Sequence, residues 1–111
     1  MRGLALLAVA VPGLLSCSGP GAAAVAPPPV THTVAIEAVA FTPTTITIKA
    51  GDSIVWVNKD PFPHSVAAKA GGFDSQPIQP DRSWTLTPTT RGETTYVCTL
   101  HPTMTGTIRV E

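Results

Sequence analysis

Cys98, His101 and Met104 stand at equal three-residue steps inside the run YVCTLHPTMTG, residues 96–106. A thiolate, an imidazole and a thioether presented by one short segment form a ligand set suited to copper. A trigonal site of two imidazoles and one thiolate, with a weak axial thioether, needs a second histidine. His64, in the run PFPHSV, is the candidate. Four such donors leave no open position for a substrate, which favours carrying electrons over catalysis. Zinc tolerates cysteine and histidine but rarely takes a thioether. A cysteine nucleophile is the other use of a Cys–His pair, but no third orienting residue or oxyanion-type glycine turn accompanies Cys98. His32 has no partner at ligand spacing and stays outside the set.

Bringing His64 to the C-terminal trio requires a scaffold, and the pattern that supplies it has a period of two. Val34 and Ile36 face one way on a first strand, followed by a bend at Phe41-Thr42-Pro43, where proline excludes a central strand. TTITIK, residues 44–49, places Ile46 and Ile48 inward, and Ala50-Gly51-Asp52 turns the chain. SIVWVN, residues 53–58, is nearly continuous apolar sequence and reads as a strand covered on both sides or near a barrel-like closure. Lys59-Asp60-Pro61 ends it and leads to His64. Residues 67–81 are aperiodic, with room for one short strand and no helix. RSWTLT, residues 82–87, puts Trp84 and Leu86 on one face, and Tyr96 and Cys98 share a face because they are two apart. After the metal-binding loop, Thr105 to Val110 closes the domain with Ile108 and Val110 inward. About six to eight short strands without helices imply an all-β fold, an antiparallel sandwich.

Composition agrees. The 111 residues suffice for one domain, and 12 prolines and 9 glycines make the chain turn-rich. Seven basic and seven acidic residues balance, so nothing points to nucleic acid or to a strongly charged partner. Arg2 precedes an apolar stretch, Gly3 to Leu15, too short to span a membrane comfortably. The stretch ends in Leu14-Leu15-Ser16-Cys17, which resembles the lipobox of bacterial lipoproteins. That resemblance implies a signal peptide over 1–16, cleavage before Cys17, and lipid on Cys17. The segment 17–30, rich in Pro, Ala and Gly, then reads as a tether, and 31–111 as the folded domain. A lipidated Cys17 leaves Cys98 as the only free thiol of the mature chain. A lone thiol in an oxidising compartment is a liability unless a metal occupies it.

The combination of GDSIVWVN, FPHSV and Tyr96-x-Cys98-x-x-His101-Pro102-x-Met104 with a closing strand resembles the cupredoxins, plastocyanin and especially amicyanin. The resemblance covers about residues 41–111. It implies a Greek-key β-sandwich holding one type 1 (blue) copper on His64, Cys98, His101 and, axially, Met104. It also implies an electron-transfer protein and not an enzyme, with redox partners, donor and acceptor, docking near His101 through an apolar patch flanked by Phe62, Pro63 and Pro102. With the lipobox, the expectation is a monomer tethered to a membrane of the bacterial cell envelope, its domain in the periplasm or outside. The alternative is a module that hands over copper and not electrons, although no Met- or His-rich flexible segment supports it. Two departures stand out. Ser65 follows the upstream histidine where these relatives usually carry an asparagine that ties the ligand loops together, which leaves that tie open. Val97 takes the place of plastocyanin's surface tyrosine, and no acidic cluster is visible, so a second docking site of the plastocyanin kind is not expected.

Overall fold

The computed structural model describes residues 27–111, together with Gly3, Ala10 and Gly13. The readings placed on Cys17 and on the lipobox lie outside the described residues. Among the described residues no helix is long and apolar enough to cross a membrane.

Among the described residues, eight strands form two four-stranded sheets. They are β1 (Thr31–Glu37), β2 (Ala40–Thr42), β3 (Thr45–Ile48), β4 (Ser53–Asn58), β5 (Ala67–Ala68), β6 (Ser83–Leu86), β7 (Gly92–Cys98) and β8 (His101–Val110). One sheet runs β2-β1-β4-β6 and the other β3-β8-β7-β5. The inward residues of both sheets, Val34, Ile36, Ile46, Ile48, Ile54, Trp56, Tyr96, Cys98, Ile108 and Val110 among them, make one core. Each comes from a period-two series, because successive side chains of a strand point to opposite faces.

The sandwich is as expected, but its pairing is mixed and not purely antiparallel. β1 pairs with β4 in parallel, and β3 pairs with β8 in parallel. The chain leaves the first sheet after β2, runs β3 in the second, and returns on the other side of β1. Alternation of apolar residues reports which face is covered. It carries no information about the direction of the neighbouring strand.

Three local expectations are refined. β4 is not covered on both sides: Ile54, Trp56 and Asn58 are buried while Ser53, Val55 and Val57 are half-buried. The bend at residues 41–43 begins with a short strand whose Phe41 enters the core and meets the Tyr96 ring edge-on, at 4.7 Å between centroids. The metal-binding loop is tighter than a loop. β8 begins at His101, so only Thr99 and Leu100 join it to β7, and Cys98 faces His101 across the hairpin. Met104, Gly106, Ile108 and Val110 form one inward series along β8, and that series carries the thioether into the core.

Candidate metal centre

At one end of the sandwich, the β7–β8 hairpin meets the segment that links β4 to β5. His64 Nδ1, Cys98 Sγ and His101 Nδ1 converge there, with all three donor atoms within 4.8 Å of one another. The sulfur lies 3.7 Å from His64 Nδ1 and 3.8 Å from His101 Nδ1. A first-row ion about 2.0 Å from each nitrogen and about 2.3 Å from the sulfur, with 120° between bonds, separates N and S by about 3.7–3.8 Å. Both N–S separations therefore match those of a trigonal His2Cys ion. Met104 is buried in the same core as Cys98. Three of the four residues singled out in the sequence converge here, Met104 lies three residues beyond His101 on β8, and His32 is elsewhere, on β1, bonded to Asp52 at 3.0 Å.

Local sequence explains the convergence. Cys98 ends the inward series of β7, and a register shift between Val97 and Cys98 re-aims its side chain at the hairpin. His64 is held by reciprocal backbone bonds with Ile78: its N–H donates to the Ile78 carbonyl, and the Ile78 N–H donates back at 2.6 Å. Asn58, inward at the end of β4, braces the segment between. Its amide donates to the carbonyls of Phe62 and Ile78, both at 2.9 Å, and its side-chain oxygen accepts the Asp60 N–H.

Charge is also arranged around the site. His64 Nε2 lies 2.7 Å from the Asp60 carboxylate. A carboxylate only accepts, so Nε2 carries a proton, and in the neutral ring Nδ1 keeps its lone pair toward Cys98. Burial alone pushes the Asp60 carboxyl up, but the Val39 N–H, His64 and the Ala38 N–H outweigh it and hold the group below the ordinary carboxylate range. The Ser65 N–H donates to Cys98 Sγ at 3.3 Å. The open question about Ser65 is answered by its partner. Its Oγ accepts the Thr99 N–H at 2.9 Å and shares a second bond with the Thr99 hydroxyl at 2.8 Å, so a Ser–Thr pair ties the two ligand segments.

Asp60 and Asn58 were missed as site residues when the sequence was read for metal donors. The available signal was periodic: Asn58 continues the inward series Ile54, Trp56, and a polar residue at such a position needs a partner. Farther in, burial pushes the Tyr96 phenol up to about 12, with the Trp56 indole the side chain that counters it. Neither the Tyr96 hydroxyl nor the Trp56 N–H reaches a partner in good hydrogen-bond geometry.

The two histidines differ in access. His64 and Cys98 are 0% exposed, while His101 is partly open. Phe62, 38% exposed, lies against both rings, at 5.1 Å from His64 and 5.6 Å from His101, and Leu100 is 50% exposed on the hairpin.

Comparison with known proteins gives the same answer by an independent route. Residues 29–111 match the family of copper binding proteins described as plastocyanin/azurin. Amicyanin from Paracoccus versutus is 36% identical over 83 residues, a match covering 70% of this chain and 63% of that protein. Chloroplastic plastocyanin from Tetradesmus obliquus is 37% identical over 75 residues, covering 58% of this chain and 52% of the relative. The chain thus spans less than two thirds of the length of these relatives. The crystal structure of Paracoccus versutus amicyanin superposes with a TM-score of 0.68 at 34% identity, over 76% of this chain and 84% of that one. With a His2Cys cluster of the right dimensions on a sandwich of this topology, the chain belongs to the plastocyanin/azurin family of copper-binding proteins.

Proposed function

We propose that the domain is a one-electron carrier that holds a single type 1 copper on His64, Cys98 and His101, with Met104 as the axial donor. The observation that carries this reading is the pair of N–S separations, 3.7 and 3.8 Å, both of the length a trigonal ion requires. When bound, copper supplies the one-electron couple between its two oxidation states.

The chain's own residues do the rest. Asp60 keeps the His64 ring in the tautomer whose Nδ1 is free to ligate. The Ser65 N–H withdraws charge from the Cys98 sulfur, a lever on the reduction potential. Asn58, the Ser65–Thr99 pair and the Ile78 backbone bonds fix both ligand segments, so the donors need little movement when the charge changes. His101 is the donor that meets solvent, with Phe62 against its ring and Leu100 and Pro102 beside it in the chain, and a redox partner would approach there. Because His64 and Cys98 are sealed, an acceptor's ligands could reach only the His101 side, which disfavours handing over the ion.

The location follows from the N-terminal sequence. Residues 1–16 act as a lipoprotein signal, Cys17 carries lipid, and 17–30 tethers the 31–111 domain as a monomer on the bacterial cell envelope. Such a tether reaches at most about 50 Å, which confines the donor and acceptor to membrane or periplasmic neighbours.

Loading the purified chain with Cu(II) should produce an intense visible thiolate-to-copper band that bleaches on one-electron reduction, and Cys98→Ser should abolish it. A stoichiometric copper complex without the band refutes the assignment. For the anchor, Cys17→Ser should shift the protein from the membrane to the soluble fraction of expressing bacteria; unchanged membrane retention overturns it.

A further inference from the structure

Asp60 contacts two places at once. Its carboxylate is 7% exposed and sits between the end of β4 and His64. Oδ2 accepts the His64 Nε2–H at 2.7 Å and the Val39 N–H at 2.9 Å, while Oδ1 accepts the Ala38 N–H at 2.7 Å. Ala38 and Val39 are the turn between β1 and β2. Their φ angles are 54° and 58°, so both occupy the left-handed region although neither is glycine. That conformation is the one a two-residue hairpin wants, but it crowds a Cβ and is worst for a β-branched valine. It also points successive N–H groups into one concavity, an arrangement that binds an anion. Here the anion is the side chain that aims a metal ligand.

We propose that Asp60 is the positioning residue for His64 and makes the exposed β1–β2 turn part of the metal site, so that turn conformation and ligand placement are coupled. The proposal rests on the copper reading given above. An acid amide cannot take over the role. Turned one way, its NH2 faces the Ala38 N–H; turned the other, it faces the Val39 N–H and forces the His64 proton from Nε2 to Nδ1, where it blocks ligation. Coupling is reciprocal: if the turn steadies His64, an ion that fixes His64 steadies the turn.

Three measurements on the full chain test this. In the metal-free protein, 15N NMR should find His64 as the Nε2–H tautomer. In a chelator challenge of the copper-loaded protein, Asp60→Asn should lose metal at least about tenfold faster, the usual scale for removing a partner behind a ligand. Loading with Cu(I) should slow hydrogen exchange at the Ala38 and Val39 amides severalfold, and this slowing should vanish in Asp60→Asn. The Asp52 amide, bonded to the Lys49 carbonyl in a turn away from the site, should not respond. The proposal is overturned by an Nδ1–H tautomer, by metal loss within twofold of the unsubstituted chain, or by turn amides indifferent to copper. Should Asp60→Asn fail to fold, the tautomer and the exchange response of the unsubstituted chain still decide. An unsubstituted protein without the visible band sinks the copper reading itself, whereas a blue protein with an indifferent variant sinks only the role of Asp60.

Discussion

Replacing Ser65 with alanine isolates the tie between the two ligand segments. Ser65 is buried, so the change leaves a hole of one hydroxyl and removes two hydrogen bonds to Thr99, at 2.9 Å from its N–H and 2.8 Å from its hydroxyl, together with the weaker 3.9 Å contact from the Ser65 hydroxyl to Cys98 Sγ. Each such bond contributes about 1 kcal/mol net, and an abandoned donor adds to the cost, so Ser65→Ala should destabilise the metal-free domain by about 2–3 kcal/mol. Thr99→Ala removes only the hydroxyl partner and should cost about 1 kcal/mol, with a coupling of similar size in the double-mutant cycle. For a domain of this length, Ser65→Ala then lowers Tm by roughly 10–20 °C. The assay is urea unfolding of the metal-free single and double variants, with the visible spectrum of the copper-loaded forms read in parallel. The shorter bond to Cys98 Sγ, 3.3 Å from the Ser65 backbone N–H, remains while the 3.9 Å contact from the hydroxyl is lost, so the charge-transfer band should survive in Ser65→Ala. The reasoning fails if Ser65→Ala costs under about 0.5 kcal/mol, less than one net hydrogen bond. It also fails if Thr99→Ala costs as much as Ser65→Ala, since the Thr99 N–H bond would then contribute nothing.

Two further predictions concern the scaffold. Asp52 accepts the Val30 N–H, His32 and the Lys49 N–H, and these bonds, the Val30 N–H foremost, lower its pKa from 3.8 to about 2. A depressed carboxylate contributes stability that is fully present above its unfolded pKa and lost as pH falls from about 4 through about 2. Asp52→Asn should therefore be less stable than the unsubstituted chain at neutral pH, and the two urea midpoints should converge by pH 2; a constant gap contradicts the assignment. Gly106 lies opposite Tyr96 across β7 and β8, and a Cβ added there would sit 2.7 Å from Tyr96 Cε1 and closer still to Cζ and the hydroxyl. Gly106→Ala should cost about 3 kcal/mol or more, as overpacking against a ring fixed on all sides does, and a variant as stable as the parent by urea unfolding would show that Tyr96 can move aside.

Much of the scaffold was legible because burial writes a local pattern. Val34 and Ile36, Ile46 and Ile48, Tyr96 and Cys98, and Ile108 and Val110 each stand two apart, and each pair faces the core. The apolar run of β4 leaves its coverage open, since half-buried valines look the same in sequence as fully covered ones. The short strands β2 and β5 look in sequence like a bend and a possible fragment, because two or three residues cannot display a period. Nothing local announced that β1 lies parallel to β4 or β3 to β8.

The sequence by itself determined which atoms could hold the ion: three of the four donors lie within seven residues on one hairpin, and a hairpin is short-range chemistry. It also determined the inward faces, through the two-residue repeat. Only the tertiary structure decided what surrounds the donors. Asp60 reaches back to the turn at Ala38 and Val39, and Ser65 reaches forward to Thr99, across separations of 22, 21 and 34 residues. Such pairings exist only once two sheets have closed on each other. They depend on angles and distances that no spacing along a chain encodes, and a carboxylate at the end of a strand looks the same whether it meets water or a buried imidazole.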